Sequence, residues 1–279
     1  IVEKGSLKMT CFMQPQADYQ DENESNSKEL VFYLKQMKEQ SAEAGLSLQY
    51  KKADSLKEKL DQDAEFFRKA DSSYQYGTAF TEEQNLDQVK DLMDTELLKN
   101  VNTLVCEYTE QEPVISYYTD EVTLQTVTSD GMNYHYSDDI RMRSIQSALG
   151  YTNVMLNMQD IFWPEREKDR WQIMQKHFSS NLLTYWKNFT VFDSTTISES
   201  NTRTRTFLNL DFAQSRTENE ITLQTSEPGS WFILRTHGEE IADVEGGTWT
   251  EIEEGAYLIQ AAEPMIRIQV KTAGLHYSK

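Results

Sequence analysis

The densest group of side chains capable of acid–base or metal chemistry follows a predicted strand, Val122 to Thr128. Asp130, His135, Asp138 and Asp139 supply one imidazole and three carboxylates within a short stretch. Such a group could hold a divalent metal ion or share general acid–base catalysis. Loops that follow strands form the ligand crevice of α/β folds, so the position suits a site. All four residues are catalytic candidates, and Asp130, His135 and Asp139 are the metal-ligand candidates.

The same segment also has an ordinary structural interpretation. Asp130-Gly131 is typical of a turn, and Ser137 or Asp138 suits the N-cap of a following helix. Carboxylates at a helix start also stabilise the helix dipole. No second histidine lies three to five residues from His135, and zinc-finger and zincin motifs are absent. The sequence therefore favours a structural role without a cofactor, and a divalent metal such as zinc is the alternative.

Aromatic side chains near predicted strand ends indicate a candidate sugar-binding site. Tyrosine and tryptophan rings can stack on sugar rings while polar neighbours hydrogen-bond the hydroxyls. The candidates are Tyr117, Tyr134, Tyr136 and Trp163, together with Asp18 in the loop after the first predicted strand. The alternatives are core packing for the aromatic residues and a solvated turn for the aspartate.

The charge balance narrows the classes of partner. The chain of 279 residues has 27 Lys and Arg against 46 Asp and Glu, a net charge of −19, and no basic run. This balance excludes nucleic-acid and anionic-membrane binding, and it favours a neutral or cationic polysaccharide over an anionic one. No apolar run is long enough to cross a bilayer. The chain begins at Ile1, so either a leader has been removed or the chain is part of a longer protein.

Two patterns of elements divide the chain. Residues 1–193 alternate short apolar runs with amphipathic helices, which predicts an α/β domain with a parallel sheet or barrel. Residues 194–205 are rich in Ser, Thr and Asn and are predicted to be a linker. Residues 206–279 carry short alternating strands separated by turns such as Gly246-Gly247. This pattern predicts an antiparallel β-sandwich domain.

Local spacing makes three further predictions. Gly45 should end the first long helix, Thr81 should open another helix through a capping box, and the acidic residues 239–254 should lie in turns. Cys11 and Cys106 lie in predicted strands, where they form either two buried thiols or a disulfide.

Diffuse motifs from about residue 80 onward resemble a known family. They are Ser137-Asp138-Asp139-Ile140-Arg141, Gly150-Tyr151, Met158, Phe162-Trp163-Pro164 and Trp231-Phe232-Ile233-Leu234-Arg235-Thr236-His237-Gly238. In these motifs the chain resembles bacterial proteins similar to polysaccharide deacetylases of the nodulation type, which accompany Pel-like exopolysaccharide biosynthesis. The resemblance implies an incomplete or distorted (β/α) barrel, an extracellular or envelope location and a polysaccharide partner. A docking surface for an envelope protein on the β-sandwich is a further alternative.

The catalytic residues of that superfamily do not transfer to this sequence. Its known members hold a metal with one aspartate and two histidines, beside an aspartate that acts as base. Here no histidine precedes His135, and Leu46 to Tyr50 stands where the histidine strand should be. The segment Val127 to Gly131 matches the family's Thr-Phe-Asp-Asp-Gly only faintly. We therefore expect non-catalytic binding or scaffolding of an extracellular polysaccharide, with an active metal-dependent carbohydrate esterase as the alternative.

Overall fold

The computed structural model describes residues 8–15, 24–39, 42–50, 53–69, 74–130, 136–158, 167, 171–173, 175–176 and 194–272. The chain forms two compact units, Ile1–Ser180 with Phe192–Thr204 and Asn181–Val191 with Arg205–Lys279. A parallel sheet with helices lies in the first unit and antiparallel strands lie in the second. This confirms the predicted order of an α/β part followed by an all-β part. Across the described ranges the parallel sheet has two open edges and does not close into a barrel.

The first unit is built on a six-stranded sheet. Its strands are Thr10–Met13 (β1), Glu43–Ser47 (β2), Thr78–Thr81 (β3), Thr103–Cys106 (β4), Ile115–Tyr117 (β5) and Thr123–Thr126 (β6). Their order across the sheet is β1-β2-β3-β4-β6-β5, and only β5 is antiparallel to its neighbour. Two short strands, Ser129–Asp130 (β7) and Val154–Met155 (β8), pair in parallel just beyond β6. The parallel strands therefore follow one another in chain order without a reversal.

Three helices of the first unit pack on one face of this sheet. The described helices are Glu24–Glu39 (α1), Leu56–Lys69 (α2), Leu86–Asp91 (α3), Tyr136–Leu149 (α4) and Ile197–Leu208 (α5). Leu34 of α1, Leu60 of α2 and Val89 of α3 join one apolar core with the strand residues Leu46 and Leu104. Side chains alternate across a strand, so this core occupies one face and leaves the other to different residues.

The opposite face of the parallel sheet is unusually polar. Fully buried Thr78, Thr103, Thr123 and Gln125 occupy it, beside a small apolar cluster that contains Phe80. The first turns of α5 satisfy part of these groups: Thr123 Oγ1 donates to Asn201 Oδ1 at 2.7 Å, and Ser200 Oγ donates to Gln125 Oε1 at 3.0 Å. Glu43 accepts from Thr10 Oγ1 at 2.7 Å and from the Ser198 backbone N–H at 3.1 Å. Specific hydrogen bonds from α5 therefore hold part of this face in one arrangement.

Helix α5 corrects the prediction of a linker over residues 194–205. A reciprocal capping box opens the helix, because the Thr196 N–H donates to Glu199 Oε2 at 3.0 Å and the Glu199 N–H donates to Thr196 Oγ1 at 3.3 Å. The helix lacks a long apolar stripe because its buried residues, Asn201 and Thr204, face the polar side of the sheet. A search for an apolar period therefore misses it.

Two further local predictions are also corrected. Gly45 lies inside β2 and not at a helix end. A side chain would not fit at this position, because a Cβ there would stand 2.5 Å from the Phe12 ring of the neighbouring strand. Thr81 ends β3, and the helix beyond it begins without a side-chain cap. Cys11 and Cys106 are free thiols. Their strands are separated by two others, roughly 14 Å at the usual strand spacing, which is too far for a disulfide.

The second unit consists of two antiparallel sheets that share one core. The strands are Phe212–Arg216 (β9), Glu220–Thr225 (β10), Trp231–Arg235 (β11), Glu239–Glu245 (β12), Gly247–Glu253 (β13), Ala256–Ala261 (β14) and Met265–Thr272 (β15). Their orders are β12-β15-β10-β9 and β11-β14-β13. Ile221, Ile266 and Ile268 of the first sheet meet Tyr257 and Ile259 of the second. This is the arrangement of a β-sandwich.

The acidic residues 239–254 lie mainly on strands, which corrects their assignment to turns. Strands β12 and β13 are edge strands of the two sheets, and charged side chains are common on edges because they discourage pairing with another chain. Gly246 and Gly247 join these strands at a crowded corner. A Cβ on Gly246, whose φ is +81°, would stand 2.2 Å from the Met265 carbonyl oxygen, and one on Gly247 would stand 2.5 Å from that of Gln260.

Candidate functional site at the carboxyl edge of the parallel sheet

The carboxyl ends of the parallel strands bring together polar residues that are far apart in sequence. Gln49 follows β2, Glu82 and Glu83 follow β3, and Glu107 and Tyr108 follow β4. Strands β2, β3 and β4 are adjacent and parallel, so these residues share one edge of the sheet. With Arg141 of α4 they form what we call the carboxyl-edge network.

Hydrogen bonds connect successive members of this network. Gln49 Nε2 donates to Glu82 Oε1 at 3.2 Å, and the Glu83 N–H donates to Glu107 Oε1 at 3.2 Å. Thr109 Oγ1 also donates to the Glu83 side chain, to Oε1 at 2.6 Å. The carboxylates are therefore fixed in position by backbone and side-chain donors before any ligand arrives, which lowers the entropic cost of binding.

An aromatic ring and a cation complete the network. The Arg141 guanidinium carbon lies 3.9 Å from the centroid of the Tyr108 ring, within cation–π range. Arg141 Nε also donates to the Thr128 carbonyl at 3.2 Å, which ties α4 to the end of β6. Tyr108 keeps 37% of its surface exposed. The edge thus presents a partly exposed tyrosine whose orientation is held by the arginine.

The charge of this edge is reflected in a neighbouring thiol. Burial, and after it the carboxylates of Glu107, Glu83 and Glu112, together raise the pKa of Cys106, the last residue of β4, to about 12. Each of these negative charges disfavours a thiolate nearby. The same charges would repel an anionic ligand and attract a cationic one.

The residues predicted from sequence fall in three places. Asp130 ends β7, and Tyr136, Asp138 and Asp139 lie in the first turn of α4, so these four flank the same short connection at the carboxyl edge. The side chains of these four residues lie outside the described part of the structure. Tyr117 lies on β5 opposite Thr123, at the amino end of β6, roughly 20 Å along the strand from Asp130. The structure therefore does not bring Tyr117 to the edge. Asp18, Tyr134, His135 and Trp163 lie outside the described residues.

The described part of the chain contains no set of side chains that could bind a metal ion. No group of three or more His, Cys, Asp or Glu residues that could hold a metal ion occurs there. The only histidine among the described residues is His237, which lies in the second unit. The described carboxyl edge offers carboxylates, amides and a phenol, which suit hydrogen bonding to hydroxyl and amino groups.

Sequence reasoning missed the carboxyl-edge network. No local pattern marks Glu82, Glu83 and Glu107 as a group, because only the pairing of β3 with β4 brings them together. Their positions after strands are the signal that could reveal them. Two glutamates directly follow the strand Thr78–Thr81, and a glutamate and a tyrosine directly follow the strand Thr103–Cys106. The short sequence Thr-Ala-Phe-Thr of β3 does not by itself indicate a strand, and this hides the signal.

Comparisons of the chain with protein-family models, curated proteins and solved structures gave no match. Among the described residues, no helix has the length and apolar character needed to cross a membrane.

Proposed function

We propose that this protein handles an extracellular polysaccharide by binding or scaffolding it, not by hydrolysing it. The carboxyl-edge network carries the proposal. It combines an exposed aromatic ring with prepositioned carboxylates and amides, which is the mixture that sugar recognition requires.

The architecture of the first unit is compatible with the deacetylase-like resemblance. Parallel strands in chain order, with helices α1 to α3 packed on one face, are typical of a (β/α) barrel or a segment of one. In such folds the ligand site lies at the carboxyl ends of the strands. That is the edge where the network lies, so fold and side-chain chemistry favour the same location.

Binding to immobilised glycans tests the proposal. The full chain should bind a neutral or a cationic polysaccharide and should not bind polygalacturonate at low salt. Tyr108→Ala should weaken binding about tenfold, because aromatic anchors dominate such interfaces. Tyr117→Ala is the matched control, because Tyr117 is equally exposed, at 39% against 37%, but lies at the other end of the sheet. Loss of binding with Tyr117→Ala alone would contradict the assignment to the carboxyl edge.

Metal content and acetate release test the esterase alternative. We expect purified protein to carry no stoichiometric zinc, cobalt or nickel and to release no acetate from an acetylated glycan. Metal that is removed by Asp130→Asn or His135→Ala, together with acetate release that these variants abolish, would overturn the binding-only proposal.

A further inference from the structure

The outer face of the three-stranded sheet in the second unit carries an ordered set of side chains. Residues directly opposite each other on neighbouring strands share a face, and the pairing places six residues outward in two rows. The rows are Trp231–Gln260–Thr248 and Ile233–Leu258–Thr250. We call these six residues the sheet platform.

The core does not require the exposed apolar residues of this platform. Trp231 is 54% exposed and Ile233 is 41% exposed, whereas Phe232 and Leu234 between them pack against the core. A large indole is seldom left this open on a strand whose alternate residues already fill the interior. The exposed indole of Trp231 and side chain of Ile233 therefore point to a binding role for this face.

The row that contains Trp231 has the components of a sugar subsite. The indole lies beside the amide of Gln260, which in turn lies beside the hydroxyl of Thr248, each one strand spacing apart. An indole provides a flat apolar surface for the C–H face of a sugar ring, and the amide and hydroxyl can bond the ring's hydroxyl groups. A flat face of this kind suits an extended polymer better than an isolated small molecule.

The charge of this unit's surface favours some classes of sugar polymer over others. Each Arg or Lys in the described strands of this unit is ion-paired, in Arg216–Glu239, Arg235–Glu253, Arg267–Glu245 and Lys271–Glu240. The cations are thus neutralised locally, and the remaining carboxylates give the surface an excess of negative charge. This complements a ligand that carries amino groups and disfavours one that carries carboxylates or phosphates.

Two of the remaining carboxylates belong to the connections beside the Trp231 row. Glu227 lies in the turn before β11, and Glu263 lies in the turn after β14. These turns are held together, because the Gly229 N–H donates to the Ala261 carbonyl at 2.7 Å. Neither glutamate forms an ion pair with another described residue. Both are therefore available to an ammonium group of a ligand bound along this row, and the indole itself also attracts cations.

We propose that the sheet platform binds a hexosamine polysaccharide that carries free amino groups. One sugar ring stacks on Trp231, its hydroxyls bond Gln260 and Thr248, and its ammonium group pairs with Glu227 and Glu263. This inference rests on the proposed polysaccharide-binding function and adds a second contact site together with the class of sugar.

Binding of the full chain to chitosan and chitin tests this inference. The two polymers share one backbone and differ in the free amino group, so their comparison isolates the charge contribution. Wild type should bind chitosan more tightly than chitin. Trp231→Ala should weaken chitosan binding about tenfold without a change in net charge, which separates the site from general attraction between a polycation and an acidic protein. Tyr33→Ala is the matched control, since it removes an aromatic residue that is 58% exposed on helix α1 of the first unit.

Each outcome is decisive for one of the two proposals. A combined Glu227→Gln and Glu263→Gln variant should lose the preference for chitosan over chitin and keep binding to chitin. If Trp231→Ala, folded by circular dichroism, binds chitosan like wild type while Tyr108→Ala does not, the platform inference fails and the edge proposal stands. If wild type binds no glycan, the proposed function itself fails. If Trp231→Ala changes only the sedimentation of the chain and not its glycan binding, a second copy covers the platform and the inference is overturned.

Discussion

The interiors of the two units differ in polarity. The first unit buries an ion pair, Lys59–Asp63, and a polar face of the sheet, where Thr123 and Gln125 bond side chains of the distant helix α5. In the described part of the second unit the buried polar residues are Thr225, Ser230 and Thr236, all at strand ends, and the core between the sheets is apolar. A polar interior is stable only while each partner is in place, whereas an apolar one depends mainly on filling volume. The first unit should therefore be sensitive to changes of chemistry, and the second to changes of volume.

Lys59→Met should produce the largest effect and tests the polar half of this comparison. The Lys59 and Asp63 side chains are 5% and 3% exposed, so removing the lysine leaves a buried carboxylate without its main partner. The free energy of unfolding of the first unit should fall by about 3–5 kcal/mol. Urea unfolding of the full chain, with hydrogen exchange to assign the unit, measures this change.

The double variant Lys59→Met with Asp63→Leu should recover most of that loss, because it removes both charges. A single Lys59→Met variant within about 1 kcal/mol of wild type would show that the interior of the first unit tolerates chemical change, and the comparison would fail.

Glu43→Ala should have the next largest effect. Its carboxylate accepts hydrogen bonds from Thr10 Oγ1 and from the Ser198 side chain and backbone, and so joins β1, β2 and the start of α5. Losing these bonds should destabilise the first unit by about 2–3 kcal/mol and should increase hydrogen exchange in α5. Glu110→Ala, an exposed acid in the same unit, should change the stability by less than about 0.5 kcal/mol. Equal effects from the two variants would contradict the role of Glu43.

Ile259→Val should have a smaller effect and tests the apolar half. Ile259 is completely buried between the two sheets, so deleting one methylene should cost about 1 kcal/mol and should leave hydrogen exchange in the first unit unchanged. Ile259→Thr, which has nearly the shape of valine, should cost about 1–3 kcal/mol more because its hydroxyl has no partner there. A threonine variant as stable as the valine variant would show that this core accepts polar groups.

The two cysteines should react only slowly with alkylating reagents near neutral pH. Burial and nearby carboxylates raise the pKa of Cys106 to about 12, and burial also raises the pKa of Cys11. Because the thiolate is the reactive form, both thiols of the folded chain should react slowly with iodoacetamide at pH 8. The rate at Cys106 should rise about tenfold per pH unit toward pH 12 while the fold persists. Rapid modification of Cys106 at pH 8, measured by mass spectrometry, would contradict the buried, negatively charged surroundings.

The sequence predicted the elements that follow a simple apolar period. Strands β10 and β15 alternate cleanly between buried and open positions. Ser55 and Glu58 have the spacing of a capping box, and the Glu58 N–H does donate to Ser55 Oγ, at 3.2 Å. Gly150 ends α4 with a φ of +61°, which is the conformation that a glycine directly after a helix typically adopts.

The sequence failed where an element buries polar groups or exposes charge. Strand β3, Thr-Ala-Phe-Thr, is a fully buried central strand with two hydroxyl side chains, and β12 carries four acidic residues on an edge. Neither shows the usual pattern, because tertiary partners determine the structure there. The capping box Thr196–Glu199 was visible in the sequence, and weighing caps above apolar periodicity would have revealed α5. The carboxyl-edge network depends on strand order, which no local pattern contains.

The glycine pair at the corner between β12 and β13 gives the second unit a marker for recognising relatives. At Gly246 and Gly247 even one added methyl group would collide with the backbone of β15 or β14. At Gly229 and Gly238, in other turns of the sandwich, an added Cβ would meet no atom within 4 Å. Distant homologues should therefore diverge freely in their loops and still keep two consecutive glycines where the chain crosses from one sheet to the other.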